Sequence, residues 1–457
     1  MATNATARKL TLTLAIAVFG ATLPGRAAVS PEEAARLRDD LTPMGAVRAG
    51  NEDGTIPAWE GGITEPPPTY RPGSHYTDPF ADDEPLFTIT AENMEEYRDR
   101  LTAGQIAMFE RYPDTWRMPV YPTRRSAAYP ERIYEATIAN ATTAELTPEG
   151  WGVRNASEGI PFPIPQNGLE CIWNHLMRYR GKTVDRLVGQ VAPTPGGAYS
   201  LVMLDEKVIW AYQQPGATIE SIQNRLAYFL QTVTQPPRLA GRILLVHETL
   251  DQTAEPRMAW VYNPGQRRVR RAPNVAYDNP GTASDGQRTN DQTDMFNGAP
   301  DRYDWRLVGK AERYVPYNNY RLHSSDVRYA DLIQPGHINP EYMRYELHRV
   351  WEVEATLREG ISHIYGKRYF YIDEDSWQIV AVDQYDRRGQ LWRVSEAYTI
   401  NYYDQPLIWE TLACHYDLQN GRYLAFGLSN EGRVIRFNTD MSTSDFTPEA
   451  LRRLGRR

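Results

Sequence analysis

Cysteine is nearly absent. Cys171 and Cys414 are the two in 457 residues, too few for a disulfide scaffold or a cysteine-built zinc module. Basic charge is short as well: 50 lysines and arginines face 58 aspartates and glutamates, a formal net charge of −8. That excludes a nucleic-acid binder of the electrostatic kind. Past the extreme N-terminus no long apolar run occurs, so a multi-span helical membrane protein is excluded. Neither G-x-G-x-x-G nor the P-loop pattern appears, and the hydrolase turn G-x-S-x-G is missing. His247-Glu248 is followed by Thr249-Leu250-Asp251, so the zinc-protease pattern fails at its last ligand. His337, His348 and His363 are scattered without metal-ligand spacing. The loop carrying Asp285, Asp291 and Asp294 lacks the D-x-D-x-D-G order of a calcium loop and reads as a solvated acidic loop. Glu352 and Glu354 share a strand face read as solvent-facing, which gives no asymmetry for acid and base roles. No cofactor, no metal and no catalysis are therefore expected.

What is present is globular in proportion, with 41% hydrophobic and 24% charged residues. Residues 1–27 read as a secretory signal. Arg8 and Lys9 precede the apolar run Leu10 to Leu23, and Gly25-Arg26-Ala27 places small residues at −3 and −1 of a cut after Ala27. No cysteine follows that cut, so acylation is not expected, and the mature chain reads as an acidic periplasmic protein. In that oxidising compartment Cys171 and Cys414 can pair; two buried free thiols are the alternative.

Residues 28–85 form an N-terminal segment. Ser30-Pro31-Glu32-Glu33 starts a short helix, and a Pro/Gly-rich stretch around Pro66-Pro67-Pro68 follows. That stretch is either an extended arm on a folded body or a mobile linker. Helices are expected over 91–111, 168–179 and 219–233, the last with Ile222, Leu226, Phe229, Leu230 and Val233 on one face. A strand is expected near 133–138. Beyond residue 240 the texture is alternation and tight turns. Strands are read at 242–249, 257–262, 267–271, 348–357, 368–373, 377–383 and 390–397, with Asn263-Pro264-Gly265-Gln266 as a type II turn. The expected fold is mainly β (α+β): a large curled antiparallel sheet, or incomplete β-barrel, with a helical lid. It occupies residues 86–445, and a tail or helix spans 446–457.

Several stretches carry a resemblance. They are Trp260 to Arg271, Asp294-Met295-Phe296-Asn297-Gly298, Asp301-Arg302-Tyr303-Asp304-Trp305 and Tyr317-Asn318-Asn319-Tyr320. Ile364 to Arg368, Tyr371 to Trp377, Trp173-Asn174-His175 and Arg178-Tyr179-Arg180-Gly181 add to them. Trp260 to Arg271 is similar to a hairpin of lipoprotein-carrier-like proteins, and the other stretches, within a resemblance covering roughly residues 70–445, resemble the DUF1329 family. That resemblance implies a fold similar to the periplasmic lipoprotein carrier and its outer-membrane receptor, with a helical lid over a hydrophobic cavity. It also implies an RND-type exporter and an outer-membrane protein as partners. This chain is longer than the carrier and has the proline-rich arm, so the resemblance does not fix the cargo.

The residues then divide into two candidate sites. Trp260, Trp351, Val353, Phe370, Ile372, Trp377 and Trp392 are the candidate cavity lining, although core packing uses the same residue types. Arg267, Arg268, Arg270 and Arg271 are either a solvated edge that blocks strand pairing or a docking patch for an acidic partner or anionic headgroups. The function these suggest is a periplasmic carrier or chaperone that binds a hydrophobic, lipid-like cargo without catalysis, as a monomer and without nucleic acid. The alternative is a surface-binding module for glycan or protein that uses exposed aromatics.

Overall fold

The computed structural model describes residues 28–272, 275 and 277–455; residues 1–27, read from the sequence as a secretory signal, lie outside them. The N-terminal part is mostly irregular. It holds helices α1 (Pro31–Ala35), α2 (Ala103–Arg111) and α3 (Glu131–Asn140), and short strands β1 (Phe87–Ile89), β2 (Met118–Val120), β3 (Glu145–Leu146) and β4 (Val153–Arg154). Helix α4 (Gly168–Met177) leads into a first meander: β5 (Thr183–Val191), β6 (Val202–Trp210), β7 (Arg225–Gln235), β8 (Ile243–Thr249), β9 (Met258–Asn263) and β10 (Arg268–Arg271). An irregular crossing, residues 277–302, precedes β11 (Tyr303–Pro316). Short helices α5 (Tyr320–His323) and α6 (Tyr329–Leu332) separate it from β12 (Tyr345–Leu357). The second meander continues with β13 (Lys367–Asp373), β14 (Ile379–Tyr385), β15 (Leu391–Asn401), β16 (Ile408–Asp417) and β17 (Tyr423–Leu428). Strand β18 (Arg436–Phe437) and helix α7 (Pro448–Leu454) end the chain.

The two meanders join where β17 pairs antiparallel with β5, making one 16-stranded curled sheet. It is mixed, because β12 meets β2 in parallel, and it does not close, since among the described residues β10 pairs with β9 alone. Side chains alternate across it. Ala413 joins one core cluster and its neighbour Cys414 another. The inner face carries α4, whose Ile172, Trp173, Leu176 and Met177 are buried, each worth about 1.5–3 kcal/mol. The second meander's other face is covered by α2 and by α5 and α6. Helix α2 approaches closely through Gly104, where a Cβ would lie 2.3 Å from Asp383 Oδ1.

Three local expectations are corrected. Residues 225–235 are strand, not helix: both faces of β7 are covered, so apolar residues run without a strand period and mimic helical spacing. Residues 131–140 are helix, not strand, with Ile133, Tyr134 and Thr137 buried one turn apart. The helix expected over 91–111 is divided, because Thr102 and Gln105 form a capping box that starts α2 afresh. The β9–β10 loop also differs: its left-handed residue is Arg267 (φ 51°), not Gly265, so it is no type II turn.

The arm lies on the body. Arg125 binds Asp375 through two hydrogen bonds (2.6 and 3.0 Å) and donates to the carbonyls of Val47, Arg48 and Pro57. Trp377 Nε1 donates to Met44 O at 2.8 Å, and Trp59 Nε1 to Ala127 O at 2.9 Å. Cys171 and Cys414 are both buried and free. They sit in different core clusters, Cys171 on α4 and Cys414 on β16, so the pairing considered from the compartment is not made.

Candidate functional site: a charged chamber beneath residues 277–302

The register of β5, β6 and β7 builds a polar row. Arg186 stands directly opposite Glu206, and Glu206 opposite Gln231, so all three side chains leave the same face. Arg186 Nε donates to Glu206 at 2.7 Å, and Gln231 Nε2 donates to the other Glu206 oxygen at 2.7 Å. Two-residue periodicity places Val208 and Trp210 of β6, and Ala227 and Phe229 of β7, on that face too. With Trp409, Glu410 and Phe426 from the second meander they wall a chamber of about 80 Å³, covered in part by the 277–302 crossing.

That crossing is held by buried ion pairs. Asp294 accepts hydrogen bonds from Arg178 (2.6 Å) and Arg180, and Trp409 Nε1 donates to it at 3.2 Å. His175 links the Asp294 carbonyl to the backbone of Ile379, and burial keeps this ring neutral, its pKa pushed down to about 3. Asp291 takes His363 Nε2 at 2.9 Å and Arg368 at 2.6 Å. Arg257 donates to Asn297 O at 2.6 Å and pairs with Glu248 at 2.6 Å. The solvated acidic loop expected over 285–294 is therefore corrected for Asp291 and Asp294, which are buried counter-ions. Asp285 stays exposed and pairs with Arg422.

The chamber is lined by both aromatic and charged groups. Arg180 lies 3.8 Å above the Trp210 ring, and Arg186 4.5 Å above Trp409. Arg288 and Arg186 both approach Phe426, at 5.3 and 5.5 Å. Arg288 is buried, and among the described residues its guanidinium has Thr293 Oγ1 as a hydrogen-bond partner (2.6 Å) and no carboxylate. Burial pushes its pKa down. Glu410 is buried, and among the described residues it has no ion pair and its Oε2 has no hydrogen-bond partner. Burial, then the nearby Asp294, pushes its pKa up to about 8, which favours the neutral acid. Gln231 Oε1 is also unpartnered among the described residues.

The residues proposed from sequence fall elsewhere. Val353, Phe370, Ile372 and Trp377 are fully buried in the solid core under α4. Trp351 packs at its margin, stacked on Trp377 at 6.0 Å. Trp260 points to the other face, in the cluster under α7 with Tyr262, Phe446 and Leu451. Trp392 is half-buried beside Tyr365, its Nε1 on Asp417. Arg267, Arg268, Arg270 and Arg271 are exposed on the terminal strand β10 and its turn. Arg271 alone of the four also lines a surface cleft of about 740 Å³, with Trp151, Met258 and Tyr277. Arg257 belongs to both that cleft and the chamber.

These motifs meet in space: Trp173-Asn174-His175, Arg178-Tyr179-Arg180, the 294–298 stretch and Trp377 converge at the Asp294 junction. The family profile described as "Protein of unknown function (DUF1329)" matches residues 88–452. The chain belongs to the DUF1329 family. It is 54% identical over 430 residues to the uncharacterized protein PA3922 of Pseudomonas aeruginosa, covering 94% of each chain. Two solved structures are more distant. A DUF1329 family protein from Desulfovibrio piger has 15% identity and a TM-score of 0.41, with 60% of this chain and 92% of that one covered. A candidate outer membrane lipoprotein-sorting domain from Vibrio parahaemolyticus has 17% identity and a TM-score of 0.43, with 62% and 98% covered. At these identities the likeness does not reach function.

A signal for the chamber was available in the DUF1329 sequence: Glu206, Val208 and Trp210 alternate, as do Ala227, Phe229 and Gln231. Reading 219–233 as helix concealed the second set. Arg288, Glu410 and Phe426 come from distant segments and have no sequence pattern in common.

Proposed function

We propose that this protein is a periplasmic, non-catalytic carrier that holds a lipid-like molecule in the chamber and passes it between membrane partners. The observation that carries this reading is the chamber itself, a partly enclosed space with aromatic walls, covered by a crossing whose regular structure among the described residues is two single 3₁₀ turns. Its 80 Å³ is below the roughly 300 Å³ of ordinary small-molecule sites, so loading requires the roof to shift. Apolar burial supplies about 0.8 kcal/mol per CH₂, and direction of transfer comes from different affinities at donor and acceptor. An RND-type exporter and an outer-membrane protein are the partners proposed. The surface-module reading finds less support: among the described residues Tyr199, at 38%, is the one large aromatic that is exposed, and one ring makes no platform.

The test is native mass spectrometry with lipid extraction on protein purified from the periplasm without detergent. A stoichiometric apolar molecule supports the carrier reading. A clean apo mass, with no uptake of supplied lipids, overturns it.

A further inference from the structure

The ion pairs around the chamber do not balance. Arg178 and Arg180 share the single carboxylate of Asp294. Arg186 has Glu206 and Arg257 has Glu248. Arg288 has no carboxylate of its own among the described residues, and the remaining acid, Glu410, makes no ion pair. A buried charge without a counter-ion is expensive to maintain. Arg288 Nε, Gln231 Oε1 and Glu410 Oε2 are all buried and, among the described residues, unpartnered, and all three residues line the same space. Around them stand apolar walls: Phe229, Leu244, Val246 and Phe426.

We infer that the chamber seats the anionic head, carboxylate or phosphate, of an amphiphile. Arg288 serves as the counter-ion, Glu410 donates a hydrogen bond, and the hydrocarbon lies against Phe229, Phe426 and the β8 side chains. This rests on the carrier reading and adds the cargo's charge. Entry follows the arginines: Arg271 at the open cleft, Arg257 between cleft and chamber, Arg288 within. A guanidinium meeting carboxylate or phosphate is a strong, geometrically selective contact.

Glu410 makes the site pH-dependent. Asp294 and Arg288 face it from the crossing, Arg186 and Glu206 from the first meander, and Arg178 and Arg180 from the end of α4. His323 and Arg433 line the small void on its far side. Below about pH 8 it is a neutral donor. Above that it ionises, neutralises Arg288 internally and repels the ligand.

The experiment measures binding to the detergent-free mature chain by tryptophan fluorescence and calorimetry. The probes are palmitate, a lysophosphatidate, hexadecanol, acetate and inorganic phosphate. The expected result is that palmitate or lysophosphatidate binds at least tenfold more tightly than hexadecanol. Arg288→Gln should lose roughly tenfold or more for the anions and little for the alcohol, while Arg288→Lys recovers part of the loss. Wild-type affinity should fall above pH 8, and Glu410→Gln should abolish that fall. Glu410→Gln also keeps the test decisive if Arg288→Gln fails to fold. Equal binding of hexadecanol and palmitate overturns the anionic head and leaves the carrier standing. Acetate or phosphate binding as tightly as the amphiphiles supports the anion seat and overturns the carrier. No binding of any probe overturns both.

Discussion

Asp294→Asn removes the carboxylate on which two buried arginines depend. The side chain of Arg178 is fully buried and that of Arg180 nearly so, and both bind Asp294 alongside Trp409 and Gln378. Breaking a buried pair by deleting one partner costs about 3–5 kcal/mol. Asparagine keeps the shape and one acceptor oxygen, so the loss is electrostatic and not a cavity. The control is Asp285→Asn, whose side chain is 65% exposed and pairs with Arg422; an exposed pair is worth about 0–1 kcal/mol. Urea unfolding followed by circular dichroism separates the two. With a slope of roughly 3 kcal/mol per molar, the midpoint for Asp294→Asn should fall by about 1 M or more, and that for Asp285→Asn by a few tenths at most. The pH dependence follows from sign. The two guanidinium groups hold the Asp294 carboxyl well below the usual range. Its contribution is therefore present above an unfolded aspartate's pKa of about 4 and is lost as pH falls through the lower folded value. The gap between wild type and variant should accordingly narrow in strong acid. Equal, small losses for the two variants at pH 7 would refute the claim that Asp294 anchors the crossing.

Three further outcomes are expected. Asp383 is fully buried, accepts from Gly104 N and Tyr371 OH, and has its pKa pushed up to about 7 by burial. Its folded pKa exceeds the unfolded one, so wild-type stability drains as pH rises from about 4 to about 7. Asp383→Asn should gain roughly 1–4 kcal/mol relative to wild type between pH 4 and pH 8, and an unchanged difference contradicts the assignment. Cys171 and Cys414 should resist a thiol reagent in the folded protein and both react after unfolding without reductant; an intact mass two hydrogens lighter would show a disulfide instead. Arg125→Met should accelerate limited proteolysis within residues 42–60, because three carbonyls of that arm lose their donor; unchanged cleavage shows the arm is held by other contacts.

The sequence reached the strand-rich class, most strands of the second meander and the family, because those strands alternate cleanly and are joined by short turns. Trp351, Val353 and Ala355 do share the inner face, as their spacing required. It failed where both faces of a strand are covered. There the alternation of β7 becomes a continuous apolar run, and helix and strand look alike. It also failed on the crossing, where aspartates in a polar loop read as solvated because their arginine partners lie far off in the chain, 77 residues away for Asp291 and more than a hundred for Asp294.

Local chemistry by itself thus determined where some elements start and several strands run: proline and cap residues start α1, an asparagine cap starts α4, and two-residue alternation marks β12 to β15. Which space stays open, and which charges line it, was decided only by the fold. Joining β17 to β5 brings Glu410 and Phe426 against Arg186 and Glu206, and the crossing sets Arg288 above them. Burial then changes their chemistry, raising the Glu410 pKa and leaving Arg288 without a carboxylate partner among the described residues, and burial is a property of the assembled sheet and not of any one segment.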